Sequence, residues 1–252
     1  MTQHFYDELA PFYHLLYGDW EGAVKKQGEA LAALLHDLGI GAGACIHDAA
    51  CGIGTQTLGL LEQGYRVTAS DVSPGAIARL QAELSQRHLR AETFVDDLRG
   101  LDRIADRSKA AILACDNGIP HLLSDAEILE AFQSCYRGLQ PGGVLVISVR
   151  DYDNIERKSP DVRPYGLHHH GTDRFLAVQV WEWEGDQYDV RMYLTSESAA
   201  GECRTQVLKS RYYAVSIGRL IELLQQAGFV DIERRDGILF QPVIVGRRGN
   251  PT

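Results

Sequence analysis

Residues Ile46-His47-Asp48-Ala49-Ala50-Cys51-Gly52-Ile53-Gly54-Thr55-Gln56-Thr57 decide how this chain folds. An apolar run ends in an acid, crosses a small-residue turn with two glycines, and enters a predicted helix over residues 55–63. Glycine lacks a Cβ, so Gly52 and Gly54 permit a sharp turn and let a ligand lie against the main chain. A second predicted strand, 65–70, is closed by Asp71. An acid at that offset accepts both hydroxyl protons of a ribose diol. Strand, turn, helix, strand and acid together predict a nucleoside-binding βα unit.

The same alternation continues on both sides of this unit. Helical spacing of apolar residues over 20–38 stops at Gly39, and Ser73-Pro74 offers a cap and first-turn proline for a helix whose buried stripe is Ile77, Leu80 and Leu84. Strands are predicted at 92–95, before Asp96-Asp97-Leu98, and at 110–115, before Asp116-Asn117-Gly118. A helix over 125–139, the break Gln140-Pro141-Gly142-Gly143 and a strand over 144–149 follow. A capped helix from Ser216 to about residue 227 precedes two further strands, 230–234 and 238–245. Alternating strands and helices predict an α/β fold: a doubly wound, mainly parallel, Rossmann-like sheet ending in an antiparallel hairpin. In such sheets ligands collect beyond the carboxyl ends of the strands. Asp48, Asp71, Asp97, Asn117 and Arg150 all fall there and are expected to face one crevice.

One segment breaks the alternation. Between residues 152 and 213, β-rich stretches at 174–184 and 187–196 flank the hairpin signal Gly185-Asp186, and 204–213 offers a third. These predict an antiparallel sheet inserted as a substrate lid. The aromatic-rich stretch from Phe5 to Tyr17, punctuated by Pro11, predicts short helical pieces that either pack on the domain or roof the ligand. The expected division is a helical lid and helix over 1–38, a nucleotide-binding core over 39–151 and 214–252, and the lid over 152–213.

A chain of 252 residues with 45% hydrophobic content can bury one substantial core. A net charge of −9 with no block of Lys and Arg argues against nucleic acid and for a small-molecule partner. Five cysteines without Cys-x-x-Cys spacing suggest a reducing compartment, and neither a leader pattern nor a membrane-length apolar run is present, so a cytoplasmic location without membrane association is expected. Oligomeric state is left open.

Two ligand classes suit a glycine-rich turn with a ribose acid. A dinucleotide pyrophosphate requires a third close glycine, where this chain has Thr57, and is repelled by the Asp48 carboxylate. A nucleoside with a cationic amino-acid tail welcomes Asp48, directly or through water. S-adenosylmethionine is such a ligand. The run from Asp48 to Gly54 resembles the first motif of the class I S-adenosylmethionine-dependent methyltransferases, Asp71 their ribose acid, and Asp97-Leu98 their adenine-contacting pair. That resemblance implies a cofactor site of Asp48, Ala50, Gly52, Gly54, Asp71 and Val72, extended by Asp97, Leu98 and Cys115.

A narrower resemblance joins Asp116-Asn117-Gly118-Ile119-Pro120-His121-Leu122, Arg150-Asp151-Tyr152-Asp153 and Ser210-Arg211-Tyr212-Tyr213 to the glycine N-methyltransferases. It implies that Arg150 grips an acceptor carboxylate, that Asn117 helps hold the acceptor amine, and that N-terminal tyrosines, Tyr17 among them, help close the site. His121, Tyr152, Tyr212 and Tyr213 complete the implied acceptor set. The chain departs from that group at Asp116, which stands where a glycine is usual, and in its inserted β-segment. The expected activity is methyl transfer to the amine of a small, carboxylate-bearing molecule, with Asn117 and Arg150 as its catalytic residues. Alternatives are a small-molecule O-methyltransferase, with His121 as base, an NAD-linked oxidoreductase, or a non-catalytic S-adenosylmethionine-binding protein. The His168-His169-His170 triplet is expected in a solvated loop of the insert without a metal, and Trp181 and Trp183 are expected as packing residues.

Overall fold

A computed structural model describes residues 2–250; Met1, Pro251, Thr252 and the side chain of His170 lie outside the described residues. Helix α1 (Thr2–Leu9) and a 3-10 turn (Tyr13–Tyr17) lead into α2 (Trp20–Asp37). Then come β1 (Cys45–Asp48), α3 (Thr55–Glu62), β2 (Arg66–Asp71), α4 (Pro74–Gln86), β3 (Glu92–Val95), β4 (Lys109–Ala114), α5 (Asp125–Gly138) and β5 (Leu139–Ser148). Strands β6 (Asp161–His170), β7 (Asp173–Glu184), β8 (Gln187–Glu197) and β9 (Cys203–Tyr213) precede α6 (Ile217–Gln226), β10 (Phe229–Arg235) and β11 (Val243–Arg248).

Seven strands form one sheet in the order β10-β11-β5-β4-β1-β2-β3. The five from β5 to β3 are parallel, and β11 joins β5 antiparallel. Alternation along β4 sends Ile112 and Ala114 into a layer with Phe132 of α5 and Leu220 of α6, while Ala111 and Leu113 meet Leu31, Leu34 and Leu35 of α2. Helices therefore cover both faces. The predicted caps are present: Ser73 accepts from the N–H of Ala76, and Ser216 from that of Arg219.

Helices α2 and α3 approach most closely at Gly28 and Gly59. A Cβ on Gly59 would lie 2.5 Å from the Val24 carbonyl oxygen, and one on Gly28 would lie 2.6 Å from the Gly59 backbone. Backbone cannot yield as a side chain does, so Gly59→Ala is expected to destabilise the fold by about 1–3 kcal/mol. A lowered urea midpoint would show it, and an unchanged midpoint would contradict this close packing.

Three elements differ from the sequence-based expectation, β6, β11 and β5. The insert has four strands in the order β6-β7-β8-β9, not three. Its additional strand, β6, carries Pro164, a register shift at Pro164/Gly166 and the histidine triplet, so the triplet lies on a sheet edge and not in a loop. Edge position accounts for the proline, because an outward-facing residue needs no N–H for the ladder. The second strand of the terminal hairpin begins at Val243, and residues 238–242 form a loop with Phe240 98% exposed. Strand β5 already begins at Leu139, because Lys109 pairs with Leu139 across the Pro-Gly-Gly segment.

Candidate active site

The loops after β1, β2, β3 and β4 wall a cavity of about 360 Å³ at the carboxyl ends of these parallel strands. Its floor is the turn from Ala49 to Ile53, and Thr2, Gln3 and Tyr6 of α1 close its roof with Tyr13 and Tyr17. Gly54 has φ 97°, and a Cβ there would sit 2.3 Å from Leu80 Cδ1 of α4. Left-handed backbone and tight packing together require glycine at this position.

Asp71 is held from both sides. Its Oδ2 accepts from Gly52 N–H at 2.9 Å and its Oδ1 from Ser73 N–H at 2.9 Å. Burial raises its pKa above the usual carboxylate value, while these N–H groups oppose the rise. A carboxylate offers about four acceptor positions, so two remain for a diol. Next to it, Val72 lines the cavity.

At the far end lie Asp97 and Leu98. Asp97 Oδ1 accepts from the backbone N–H and Nε of Arg99, and Oδ2 takes a second guanidinium contact at 2.6 Å. This bonding holds the Asp97 carboxyl below its usual pKa. Arg99 continues to Glu127 at 2.7 Å, whose other oxygen accepts from Leu123 N–H. The loop after β3 is thereby tied to the start of α5. Among the described lining residues Arg99 is the one lysine or arginine, set against Asp71, Asp96, Asp97, Asp116 and Glu127. The cavity favours a ligand that carries positive charge.

Beyond β4 the chain makes two consecutive left-handed residues, Asp116 (φ 53°) and Asn117 (φ 66°). Asp116 faces the cavity, where its Oδ2 accepts from the Tyr17 hydroxyl at 2.9 Å and from Gln56 Nε2 at 3.0 Å. The Asn117 side chain turns the other way and is 2% exposed. Its Oδ1 accepts from Arg150 N–H at 3.0 Å and its Nδ2 donates to the Tyr152 hydroxyl at 3.0 Å. Asn117 thus fixes the start of the loop after β5.

That loop presents Arg150. The half-buried guanidinium lies 5.3 Å from the Trp181 ring centroid and donates to the Tyr165 hydroxyl at 3.3 Å. Tyr152, Tyr188 and Tyr212 also surround it. No carboxylate among the described residues pairs with Arg150, and neighbouring Asp151 pairs instead with Arg234 at 2.8 Å. Trp181 is 1% exposed and packs as expected, while one face of its ring also serves this cation.

His121 stands between the cavity and Arg150. Its Nε2 lies 2.8 Å from the Tyr6 hydroxyl, its ring centroid 4.0 Å from that of Tyr212, and its Nδ1 3.4 Å from Ser210 Oγ. Burial, assisted by the Arg150 charge, lowers its pKa to about 3, so the imidazole is neutral near pH 7. The unfolded chain takes up this proton below about pH 6.5, whereas the folded chain does not until about pH 3. The resulting stability is complete above pH 6.5 and is lost as pH falls through that window. The fall in urea midpoint from about pH 7 to about pH 5 is therefore expected to be smaller in His121→Gln than in the native chain. An equal fall would refute the assignment.

The structure gathers Ala50, Gly52, Asp71, Val72, Asp97, Leu98 and Cys115, with Tyr17 and His121, around the cavity. Tyr152 and Tyr212 gather instead around Arg150, outside the cavity wall. Asp48 is fully buried beneath the turn. Its Oδ2 accepts from Thr57 Oγ1 at 2.7 Å, its Oδ1 has no hydrogen-bond partner among the described residues, and burial pushes its pKa up to about 7. The end of β1 turns this side chain under the glycine loop, away from the cavity wall. Tyr213 departs from the expected acceptor set because strand alternation sends it to the opposite face of β9 from Tyr212, where its hydroxyl donates to Asp125 at 2.9 Å. Asn117 joins two loops and lies outside the cavity lining.

Sequence reasoning missed Tyr6, Tyr13, Gln56 and Tyr165. Tyr6 and Tyr13 lie in the aromatic-rich stretch that the sequence offers as a roof, but on separate helical pieces, α1 and the 3-10 turn, so no single helical period relates them. His168 Nε2 lies 3.2 Å from the Tyr165 carbonyl oxygen, and no group of three His, Cys, Asp or Glu is placed to hold a metal among the described residues. No helix of the described residues is long and apolar enough to cross a membrane.

Residues 46–143 match the family model described as a methyltransferase domain. With its sheet order and glycine-turn cavity, the chain has the fold of solved S-adenosylmethionine-dependent methyltransferases and carries a methyltransferase domain over residues 46–143. It is 28% identical over 145 residues to the glycine/sarcosine N-methyltransferase of Parasynechococcus marenigrum (strain WH8102), a match covering 58% of this chain and 50% of that protein. The chain thus spans about half the length of the first curated relatives it matches. In structure it is similar to Streptomyces venezuelae DesVI, with TM-score 0.81, 17% identity and coverage of 96% and 98% of the two chains. It is also similar to the sugar N-methyltransferase KedS8 of Streptoalloteichus sp ATCC 53650, with TM-score 0.78, 18% identity and coverage of 94% and 93%.

Proposed function

We propose that this protein transfers a methyl group from S-adenosylmethionine to the amine of a small molecule that also bears a carboxylate. The cofactor half of this reading rests on the acidic cavity and on Asp71, whose two remaining acceptor positions suit a ribose. The acceptor half rests on one observation: Arg150 is enclosed by aromatic side chains, with no acid among the described residues to neutralise it. A cation in such surroundings gains most from an anionic ligand, and a guanidinium binds a carboxylate bidentately. The glycine/sarcosine N-methyltransferases among its relatives support the same acceptor class.

The bound cofactor supplies an electrophilic methyl on a sulfonium. What remains for the chain is placement and exclusion of water, which can contribute about 7–11 kcal/mol. Arg150 anchors the acceptor at its acid end, Asn117 holds the Arg150 backbone, and Tyr6 with Tyr13 covers the cavity. Neutral His121, held by Tyr6 at Nε2 and by Ser210 at Nδ1, lacks the charge that would repel a protonated acceptor. The same neutral imidazole favours a second reading, in which His121 takes the proton of a hydroxyl during O-methylation.

A screen of glycine, sarcosine, other amino acids, amino sugars and simple phenols, read by release of S-adenosylhomocysteine, tests both. Turnover confined to carboxylate-bearing amines supports the proposal. Turnover of phenols alone selects the second reading, and preference for amino sugars without a carboxylate removes the role given to Arg150.

A further inference from the structure

The cationic cofactor needs a counter-charge. Asp48 is the acid that the sequence suggests for this task, but it lies under the turn and off the cavity wall. Asp97 and Glu127 are neutralised by Arg99, Asp96 accepts from the backbone N–H groups of Asp97 and Arg103, and Asp71 is committed to the ribose position by two backbone N–H groups. Asp116 remains. It lines the cavity and pairs with no lysine or arginine among the described residues. Both hydrogen bonds that its side chain accepts converge on Oδ2, from Tyr17 and Gln56, and Oδ1 accepts none among the described residues.

Its position also selects which part of the ligand it meets. Gln56 belongs to the first turn of α3, directly after the glycine loop, so Asp116 is fixed beside the N-terminus of that helix. The adenine-side pair Asp97 and Leu98 belongs to the loop after β3, while β4 is separated from β3 in the sheet by β1 and β2. A nucleoside lying from Asp97 across Asp71 therefore extends its tail toward Asp116. A helix N-terminus favours the carboxylate of an amino-acid tail, and a neighbouring acid favours its ammonium group. Two adjacent sites of opposite sign match a zwitterion.

We propose that Asp116 binds the α-ammonium group of the cofactor's amino-acid tail through Oδ1, with Tyr17 and Gln56 holding the carboxylate in register. This rests on the S-adenosylmethionine reading given above. It makes Asp116 a determinant of cofactor choice, accepting adenosyl amino acids and rejecting nucleotides whose tail is a phosphate. Tyr17 acquires a definite part, because its hydroxyl couples the roof of the cavity to the residue that binds the tail.

Equilibrium binding of three adenosyl compounds to the native chain and to Asp116→Asn tests the proposal. S-adenosylmethionine and S-adenosylhomocysteine both carry the ammonium, whereas 5′-methylthioadenosine has no amino-acid tail. In Asp116→Asn the first two are expected to bind about 10- to 100-fold more weakly, with 5′-methylthioadenosine unchanged. Unchanged affinity for the first two overturns the proposal, and equal weakening of all three reduces Asp116 to a structural part of the wall. Weakening of S-adenosylmethionine alone assigns Asp116 to the sulfonium and likewise overturns it. An analogue of S-adenosylhomocysteine lacking the α-amino group provides a measurement on the native chain, independent of how the variant folds. It is expected to bind at least about 10-fold more weakly than S-adenosylhomocysteine, and equal affinity overturns the proposal. A native chain that binds no S-adenosylmethionine removes the methyltransferase reading itself, an outcome distinct from the loss of selectivity at Asp116.

Discussion

Asp71→Ala is expected to weaken S-adenosylmethionine binding by at least about 100-fold, because two charge-assisted hydrogen bonds to a ribose diol are lost at about 1.5–3 kcal/mol each. The substitution also releases the N–H groups of Gly52 and Ser73, which Asp71 now ties together across the mouth of the glycine turn. Binding calorimetry measures the loss. Thermal unfolding of the variant separates a local effect from a collapsed fold, and an affinity equal to that of the native chain would remove the ribose assignment.

Arg150→Ala is expected to act on the other ligand. With the guanidinium gone, kcat/KM for a carboxylate-bearing amine falls by about 100-fold or more, the scale of one lost charged pair, while affinity for S-adenosylmethionine changes little. Arg150→Lys keeps the charge but loses the planar fork and its stacking on Trp181, so partial activity is expected. Equal losses of cofactor binding and acceptor use would show that Arg150 supports the whole cleft and is not a carboxylate anchor.

The parallel core was legible because its signals are local. Apolar runs, glycine turns and the caps at Ser73 and Ser216 each lie within a few residues of the element they define. Strand β6 was not legible, since Pro164, Gly166 and the histidines lack the alternation of a half-buried strand, and its pairing comes from β7 across a hairpin. The candidate site divides in the same way. Asp71 and Asp97 could be placed from strand ends, Gly52 from the glycine turn, and Ala50 through the resemblance to the methyltransferases. The direction of the side chains could not: a strand end determines where a residue is, but the packing around it determines where it points. Asp48 ends one strand and Asp116 follows another, yet Thr57 draws the first beneath the turn and Tyr17 with Gln56 holds the second in the cavity. Tyr212 and Tyr213 differ by one position in β9, and that places them on opposite faces.

Asp116 and Asn117 are neighbours with left-handed backbones whose side chains serve different halves of the cleft. One meets the cavity through its carboxylate, and the other grips the backbone that carries Arg150. Adjacent Cα atoms across a trans peptide are separated by about 3.8 Å, a length that cannot stretch. The chain therefore carries its own measuring gauge between the cavity and the Arg150 cluster, one peptide unit long. An insertion of one residue between Asp116 and Asn117 would put the two halves out of step.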